Sequence, residues 1–265
     1  MLRFFVGVVV LALCAPCAAD GLPTKGEADQ TSDIKPVAAK KKKVSKKRLR
    51  RRVKAPDGGV MQTAAWKYGQ LTPAECEAEV KTRKLPFTSE PTDGVLAGGR
   101  LTGPIRGVTF RTRESDEKRA TSPWEILDCR LALSLDDFAG VLVAHDIVEV
   151  RHYSMHRKVP TSWPAGKVGS QHFGGMAIDA AIFTTSDGTK IDVNEDWFGR
   201  IGAKTCGPDA RPRRKTEKSV VLRAILCETA AKRIFNVILT PNHNRAHRNH
   251  FHLDVTPGAR WFVID

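Results

Sequence analysis

The segment His247-Arg248-Asn249-His250-Phe251-His252-Leu253-Asp254, near the C-terminus, constrains the chain most. From His250 onward polar His250, His252 and Asp254 alternate with apolar Phe251, Leu253 and Val255. Strand side chains point alternately to opposite faces, so this pattern predicts a strand with both imidazoles on one face and the apolar trio in the core. Residues two apart on a strand lie ~6–7 Å apart at their Cα atoms, close enough to serve one small site. Histidine is the commonest metal ligand and the side chain best suited to move protons near neutral pH. With His243 and His247, four of the chain's eight histidines fall within ten residues. The plain alternative is an exposed polar strand face.

A second half of the site is expected in Ser170-Gln171-His172-Phe173-Gly174-Gly175-Met176-Ala177-Ile178-Asp179. His172 lies in a polar, Gly-rich turn, and Asp179 sits on the apolar strand that follows. A buried aspartate is costly unless a cation or hydrogen bonds compensate it. His172, Asp179 and a histidine from 250–252 would supply nitrogen and carboxylate ligands with a fourth position left to water, the composition of catalytic zinc sites. A structural aspartate hydrogen-bonded to a turn is the alternative.

The N-terminus speaks to compartment. Arg3, the apolar run Phe4 to Leu13 and the small residues Cys17-Ala18-Ala19 read as a secretory signal over residues 1–19, too short to span a bilayer. Lipidation is not expected, because Leu13 and Pro16 are poor residues to precede a lipidated cysteine. Export leaves Cys76, Cys129, Cys206 and Cys227, an even set with three possible connectivities. The expected pairs are Cys76–Cys129 and Cys206–Cys227, each joining a polar connection or short element to a long helix nearby. No CxxC pair supports a thiolate zinc site.

The net charge of +14 is concentrated. Lys40 to Lys43 and seven residues between Lys46 and Lys54 put eleven basic residues in fifteen. Residues 20–60 therefore read as a disordered, self-repelling tail. In a cytosolic protein this would suggest a nucleic-acid arm. Behind a signal peptide the expected partner is an anionic envelope polymer or acidic lipid headgroup, or the tail is a solvated linker.

Residues 61–119 read as an N-terminal extension and 120–265 as the main domain. Thr72-Pro73-Ala74-Glu75 marks a helix start, and residues 86–120 read as loops with one hairpin. Ser122-Pro123-Trp124-Glu125 reads as a capping box for a helix reaching about His145, with Leu127, Leu131, Leu135, Phe138 and Leu142 on its buried face. Ile147 to Tyr153, Ile178 to Phe183, Thr189 to Val193 and Val237 to Leu239 read as strands, with Ser186-Asp187-Gly188 as a hairpin turn. Val220 to Ile234 reads as a second long helix. The hairpin argues against a purely parallel sheet, so the expected class is α+β, helices packed on a small antiparallel or mixed sheet.

The order Ser170-x-His172-x-x-Gly175-x-Ala177-x-Asp179, then His250-x-His252, resembles the zinc D-alanyl-D-alanine peptidase and murein endopeptidase superfamily. Within it, residues 120–258 look closest to the bacterial extensin-like C-terminal domain family. The resemblance implies a DD-peptidase-like (Hedgehog/DD-peptidase type) fold and zinc held by His172, Asp179 and His252. It places His250 beside the reacting water and carbonyl and makes His247 a proton-transfer partner. It also makes Arg157, in Tyr153-Ser154-Met155-His156-Arg157, a candidate for carbonyl or carboxylate recognition. Trp197 reads as core. Two positions depart from the family pattern: Asn249 stands where aspartate is usual, and an amide cannot take a proton from water; His156 stands where relatives often have cysteine. The implied function is an exported, monomeric zinc hydrolase of the periplasm or cell envelope, acting on peptidoglycan peptides. Its rival is a non-catalytic envelope-binding protein, and no nucleic acid or membrane segment is expected after leader removal.

Overall fold

One sixteen-residue helix, Cys129–Ala144, is buried along nearly its whole length and organises everything that follows. In the computed structural model the described residues are Val53–Lys54 and 59–265. The expected leader, residues 1–19, and nearly all of the expected tail lie outside them. Val53–Lys54 form a short strand, β1.

Two helices follow, α1 (Ala64–Gln70) and α2 (Pro73–Thr82). Thr72 caps α2 in a full capping box with Glu75, and Pro73 takes the first turn, where its missing N–H costs nothing. Strands β2 (Phe87–Ser89) and β3 (Gly98–Leu101) make the expected hairpin, followed by β4 (Thr109–Arg111) and the single-turn helix α3 (Asp116–Arg119).

The expected helix start at Ser122 is wrong. Ser122 caps only a 3-10 turn, Pro123–Glu125, and β5 (Ile126–Asp128) follows. Glu125 does not reach back to its cap. Its carboxylate is buried and occupied by the Thr112 backbone N–H and hydroxyl and by Arg119. Leu127 pairs with Gly99 in a three-stranded antiparallel sheet, β2-β3-β5. The long helix, α4 (Cys129–Ala144), starts at its own cap, Asp128, which accepts from the Arg130 backbone and pairs with the Arg130 guanidinium at 2.7 Å.

Beyond α4 come β6 (Ile147–His152), β7 (Ala177–Thr185), β8 (Lys190–Asp192), the short helix α5 (Val193–Asp196) and α6 (Glu217–Ala231). The chain ends in β9 (Val237–Leu239), β10 (Phe251–Asp254) and β11 (Trp261–Ile264). The main sheet runs β1-β11-β9-β10-β7-β6-β4, with β8 extending the β10 edge of β7. It is mixed: β4–β6 and β9–β11 are parallel, the other pairs antiparallel. The class is α+β, as expected.

Leu131, Leu135, Phe138 and Leu142 of α4 pack with Leu222, Ile225 and Leu226 of α6 against Ile178, Ala180, Phe251 and Leu253 of the sheet. The other side of α4 carries Leu133 and Cys129, which meet Tyr68, Cys76 and Val80. Truncating a fully buried ring such as Phe138 to alanine typically costs ~3–5 kcal/mol. The disulfide Cys76–Cys129 ties α2 to the first turn of α4, and Cys206–Cys227 ties the loop after α5 to α6. Both expected pairings are present.

Because Ile178, Ala180, Phe251 and Leu253 face the helices, alternation turns Asp179, His252 and Asp254 to the opposite face of the sheet. That face is covered by the loop between β6 and β7.

Candidate metal centre

Strand register builds the centre. In the antiparallel β7–β10 pair, His252 lies directly opposite Asp179, where cross-strand neighbours on one face touch. His172 arrives from the 3-10 turn Gln171–Gly174 just before β7. Gly175 ends that turn at φ 63°, and a Cβ there would sit 2.8 Å from the Asp128 backbone nitrogen, so only glycine fits. Gln171 is held in the left-handed region at φ 51°, and its side-chain amide reaches Asp254. Such a backbone costs on the order of 1 kcal/mol or more and collects at functional sites.

Three donor atoms converge. His172 Nε2 lies 3.1 Å from Asp179 Oδ1 and 3.2 Å from His252 Nδ1, and His252 Nδ1 lies 3.0 Å from the same oxygen. The far side of each ring fixes what these atoms can offer. His172 Nδ1 faces the Met155 carbonyl at 3.2 Å and His252 Nε2 faces an Asp254 oxygen at 3.0 Å. Carbonyls and carboxylates only accept, so each outer nitrogen carries the proton and each inner nitrogen presents a lone pair. Two lone pairs and a carboxylate oxygen then point at one spot. That arrangement needs a cation: a metal ion, or a second proton on one ring.

The donor set fits a metal. Ligands ~2.0–2.1 Å from a tetrahedral zinc lie about 3.3 Å apart, close to the 3.0–3.2 Å edges found here. Among the described residues, His172, Asp179 and His252 alone form such a group, and all three are buried. Outer partners like the Met155 carbonyl and Asp254 are what orient metal-binding imidazoles. The same atoms also make a closed ion cluster when protonated. Burial pushes His252 down, but its hydrogen bonds to Asp179 and Asp254 outweigh this and raise it to about 9. Burial pushes Asp179 up, while His172 and His252 pull it well below the ordinary carboxylate range.

Further histidines line one side. His250 Nε2 stands 3.4 Å from Asp179 Oδ1, its Nδ1 meets the Asn249 side-chain oxygen at 2.9 Å, and Tyr153 packs edge-on against its ring. The Asn249 amide donates to the Tyr153 hydroxyl at 3.0 Å. His247 packs against His250, His252 and His243 at ring separations of 5.2, 5.8 and 5.3 Å. Burial, then the neighbouring histidines, lower His247 to about 4, so it is neutral near pH 7. Burial likewise lowers His250, with Asp179 opposing. Arg157 donates to the outer oxygen of Asp179 at 2.7 Å while half of its side chain stays exposed.

The sequence model described as extensin-like protein C-terminus matches residues 74–263. The chain belongs to this family. The extensin-like match takes in the segment from α2 to α3 as well as residues 120–263, so the disulfide Cys76–Cys129 lies wholly inside it. No curated protein and no solved structure matches the chain.

Every candidate residue named from this extensin-like sequence meets at one place. His172, Asp179 and His252 form the donor triangle, and His250, His247 and Arg157 surround it. Two details differ. Only His252 lies on β10; His250 immediately precedes the strand. Arg157 is engaged by Asp179 rather than wholly free for a ligand. Asp254 was not singled out, although the His250-x-His252-x-Asp254 alternation places it on the same face. The Met155 carbonyl leaves no signal in sequence, since any residue has one. Trp197 is buried in the core, as expected.

Proposed function

We propose that this extensin-like protein is a zinc-dependent hydrolase of amide bonds in cell-wall peptides, exported to the periplasm or cell envelope and acting as a monomer. The reading places it with the zinc D-alanyl-D-alanine peptidases and murein endopeptidases. One observation carries it: the inner nitrogens of His172 and His252 and one oxygen of Asp179 converge with their protons held outward. His172, Asp179 and His252 would hold the ion. Zinc bound there supplies Lewis acidity, polarising a scissile carbonyl and lowering the pKa of water towards ~7.

The surrounding residues have distinct tasks. His250, neutral near pH 7 because burial lowers it, has its Nε2 beside the centre and can accept a proton and pass it to the leaving amine. Asn249 and Tyr153 hold the His250 ring. His247 packs behind it as an uncharged wall. Arg157 holds the outer oxygen of Asp179, leaving the other turned towards the centre, and its exposed part can meet a substrate carbonyl or carboxylate. Metal content and turnover of purified peptidoglycan fragments, with and without chelator, test the proposal. Bound zinc with chelator-sensitive cleavage supports it; a zinc-loaded protein that cleaves none of them sinks it.

A specific observation favours a second reading. Asn249 occupies the position where a carboxylate is usual, and Asp179 is already compensated by Arg157 and the histidines. An envelope-binding protein that retains the centre without turnover accounts for both. Zinc content does not separate the two readings; cleavage does.

A further inference from the structure

The segment after β4 brings a second guanidinium to the rim of the centre. β4 and β6 run parallel, with Arg111 beside Arg151. Carried two residues further, that register sets Arg113 beside Tyr153, and the Arg113 guanidinium lies over the Tyr153 ring at 5.6 Å. The backbone there is anchored, because the buried Thr112 gives its N–H and hydroxyl to Glu125 at 2.7 and 2.8 Å. Tyr153 in turn packs edge-on against His250 at 5.7 Å, and its hydroxyl accepts from the Asn249 amide. A single ring thus stands between Arg113 and the histidine beside the donor triangle.

Carboxylates are near in sequence, yet Arg113 does not engage them. Glu114, Asp116 and Glu117 follow it directly. Arg111 pairs with Asp116, and Arg119 pairs with Asp116 and Glu125. Arg113 is exposed and has no carboxylate partner among the described residues. Arg157, the other guanidinium at the centre, already donates to Asp179 at 2.7 Å. Of the two, Arg157 is committed to the centre and Arg113 is open to a ligand.

We infer that Arg113 sets substrate specificity by binding a carboxylate of the peptide, carried within about three residues of the bond held at the centre. The inference rests on the peptide reading above, and that reading selects the anion: an unmodified peptide carries carboxylates and no phosphate. The separations of 5.6 and 5.7 Å through Tyr153 cap the distance from the Arg113 guanidinium to the His250 ring at about 11 Å. About three extended residues span that length, at ~3.3–3.6 Å each. A guanidinium offers a carboxylate two parallel N–H donors, and stacking on an aromatic face leaves those donors free. Arg113 therefore binds and orients the peptide and takes no part in breaking the bond.

The test uses the full chain and purified peptidoglycan fragments, native and with their carboxyl groups converted to amides. Singly amidated isomers, separated by chromatography, distinguish a terminal carboxylate from a side-chain one. Affinity is measured by calorimetry in chelator, where no metal-dependent turnover intervenes. Native fragments should bind about fivefold more tightly than the amides, the upper range for an ion pair at a solvated rim. Arg113→Gln should bring the two forms to equal affinity, and Arg113→Lys should keep part of the gap. A merely structural role would weaken both forms together and leave their ratio standing. Equal binding of the two forms by the unaltered chain overturns the inference, as does failure to bind native fragments or a gap that survives Arg113→Gln. Turnover by the zinc-loaded chain separates the two claims. A chain that shows the preference yet cuts no fragment keeps Arg113 and loses the hydrolase reading; one that cuts native and amidated fragments alike does the reverse.

Discussion

Two polar clusters, one half-buried and one buried, sit in this molecule and obey opposite arithmetic. In one, Asp136 of α4 accepts from Arg106 at 2.6 Å and from Arg83 at 3.0 Å, and Arg83 continues to the Tyr68 hydroxyl at 2.8 Å. Tyr68 in turn donates to Asp137 at 2.6 Å. In each of these contacts a donor meets an acceptor, and the cluster pins α1 and α2 to α4. In the other, His172, Asp179 and His252 turn acceptors towards one another, with their protons directed outward. A closed cluster explains itself by folding alone. An open one calls for something further, a metal ion or a proton, and that difference separates a brace from a site.

The sharpest test of the contrast is metal content. His172→Ala, Asp179→Ala and His252→Ala should each lose most bound zinc, measured by elemental analysis, while Asp136→Asn should lose none. If all three variants keep their metal, the centre is a protonated ion cluster and the contrast collapses. Next in size is His250→Ala, expected to keep its metal yet lose hydrolysis by ~10²–10³, the usual cost of one preorganised group. Should His250→Ala lose the metal and His252→Ala keep it, their roles are reversed.

Without metal the open cluster must behave as a proton site. His252 is raised to about 9, above its ordinary value of ~6.5. Its contribution is therefore fully present below about pH 6.5 and lost as pH rises through 9, on the order of 3 kcal/mol. Denaturant midpoints in chelator should fall between pH 6 and pH 9.5, and zinc should flatten that fall. A flat profile in chelator would show that no proton is held there. The closed cluster responds otherwise: Asp136→Asn should cost about 2 kcal/mol in chemical unfolding, below the full price of a broken buried pair because Arg106 is half exposed. The smallest effect is Asn249→Asp, expected to raise turnover by up to ~10-fold at unchanged zinc content, short of the ~10²–10⁴ of an optimally placed base.

The residues of the open cluster were legible because period-two alternation and a lone aspartate in an apolar run are local signals. Their geometry was not. That His252 faces Asp179, rather than a neighbour one residue away, depends on the β7–β10 register, which packing of Ile178, Ala180, Phe251 and Leu253 decides. The helix start at Ser122 misled because Ser-x-x-Glu is only half of a cap; the partly exposed Arg119 and the buried Thr112 claimed Glu125 instead. Asp128 was the true cap, hidden in an apolar stretch where its partner Arg130 follows only two residues later.

The register of β7 against β10 also has a kinetic side. His172 and Asp179 are seven residues apart, but His252 is 73 residues beyond Asp179. Closing a loop of that length comes late in folding, because its entropy must be met before any contact rewards it. A chain still leaving the ribosome thus holds two of the three donors and lacks the third until β10 has been made and paired. The centre cannot exist before then, and its appearance reports that β7 and β10 have paired in register.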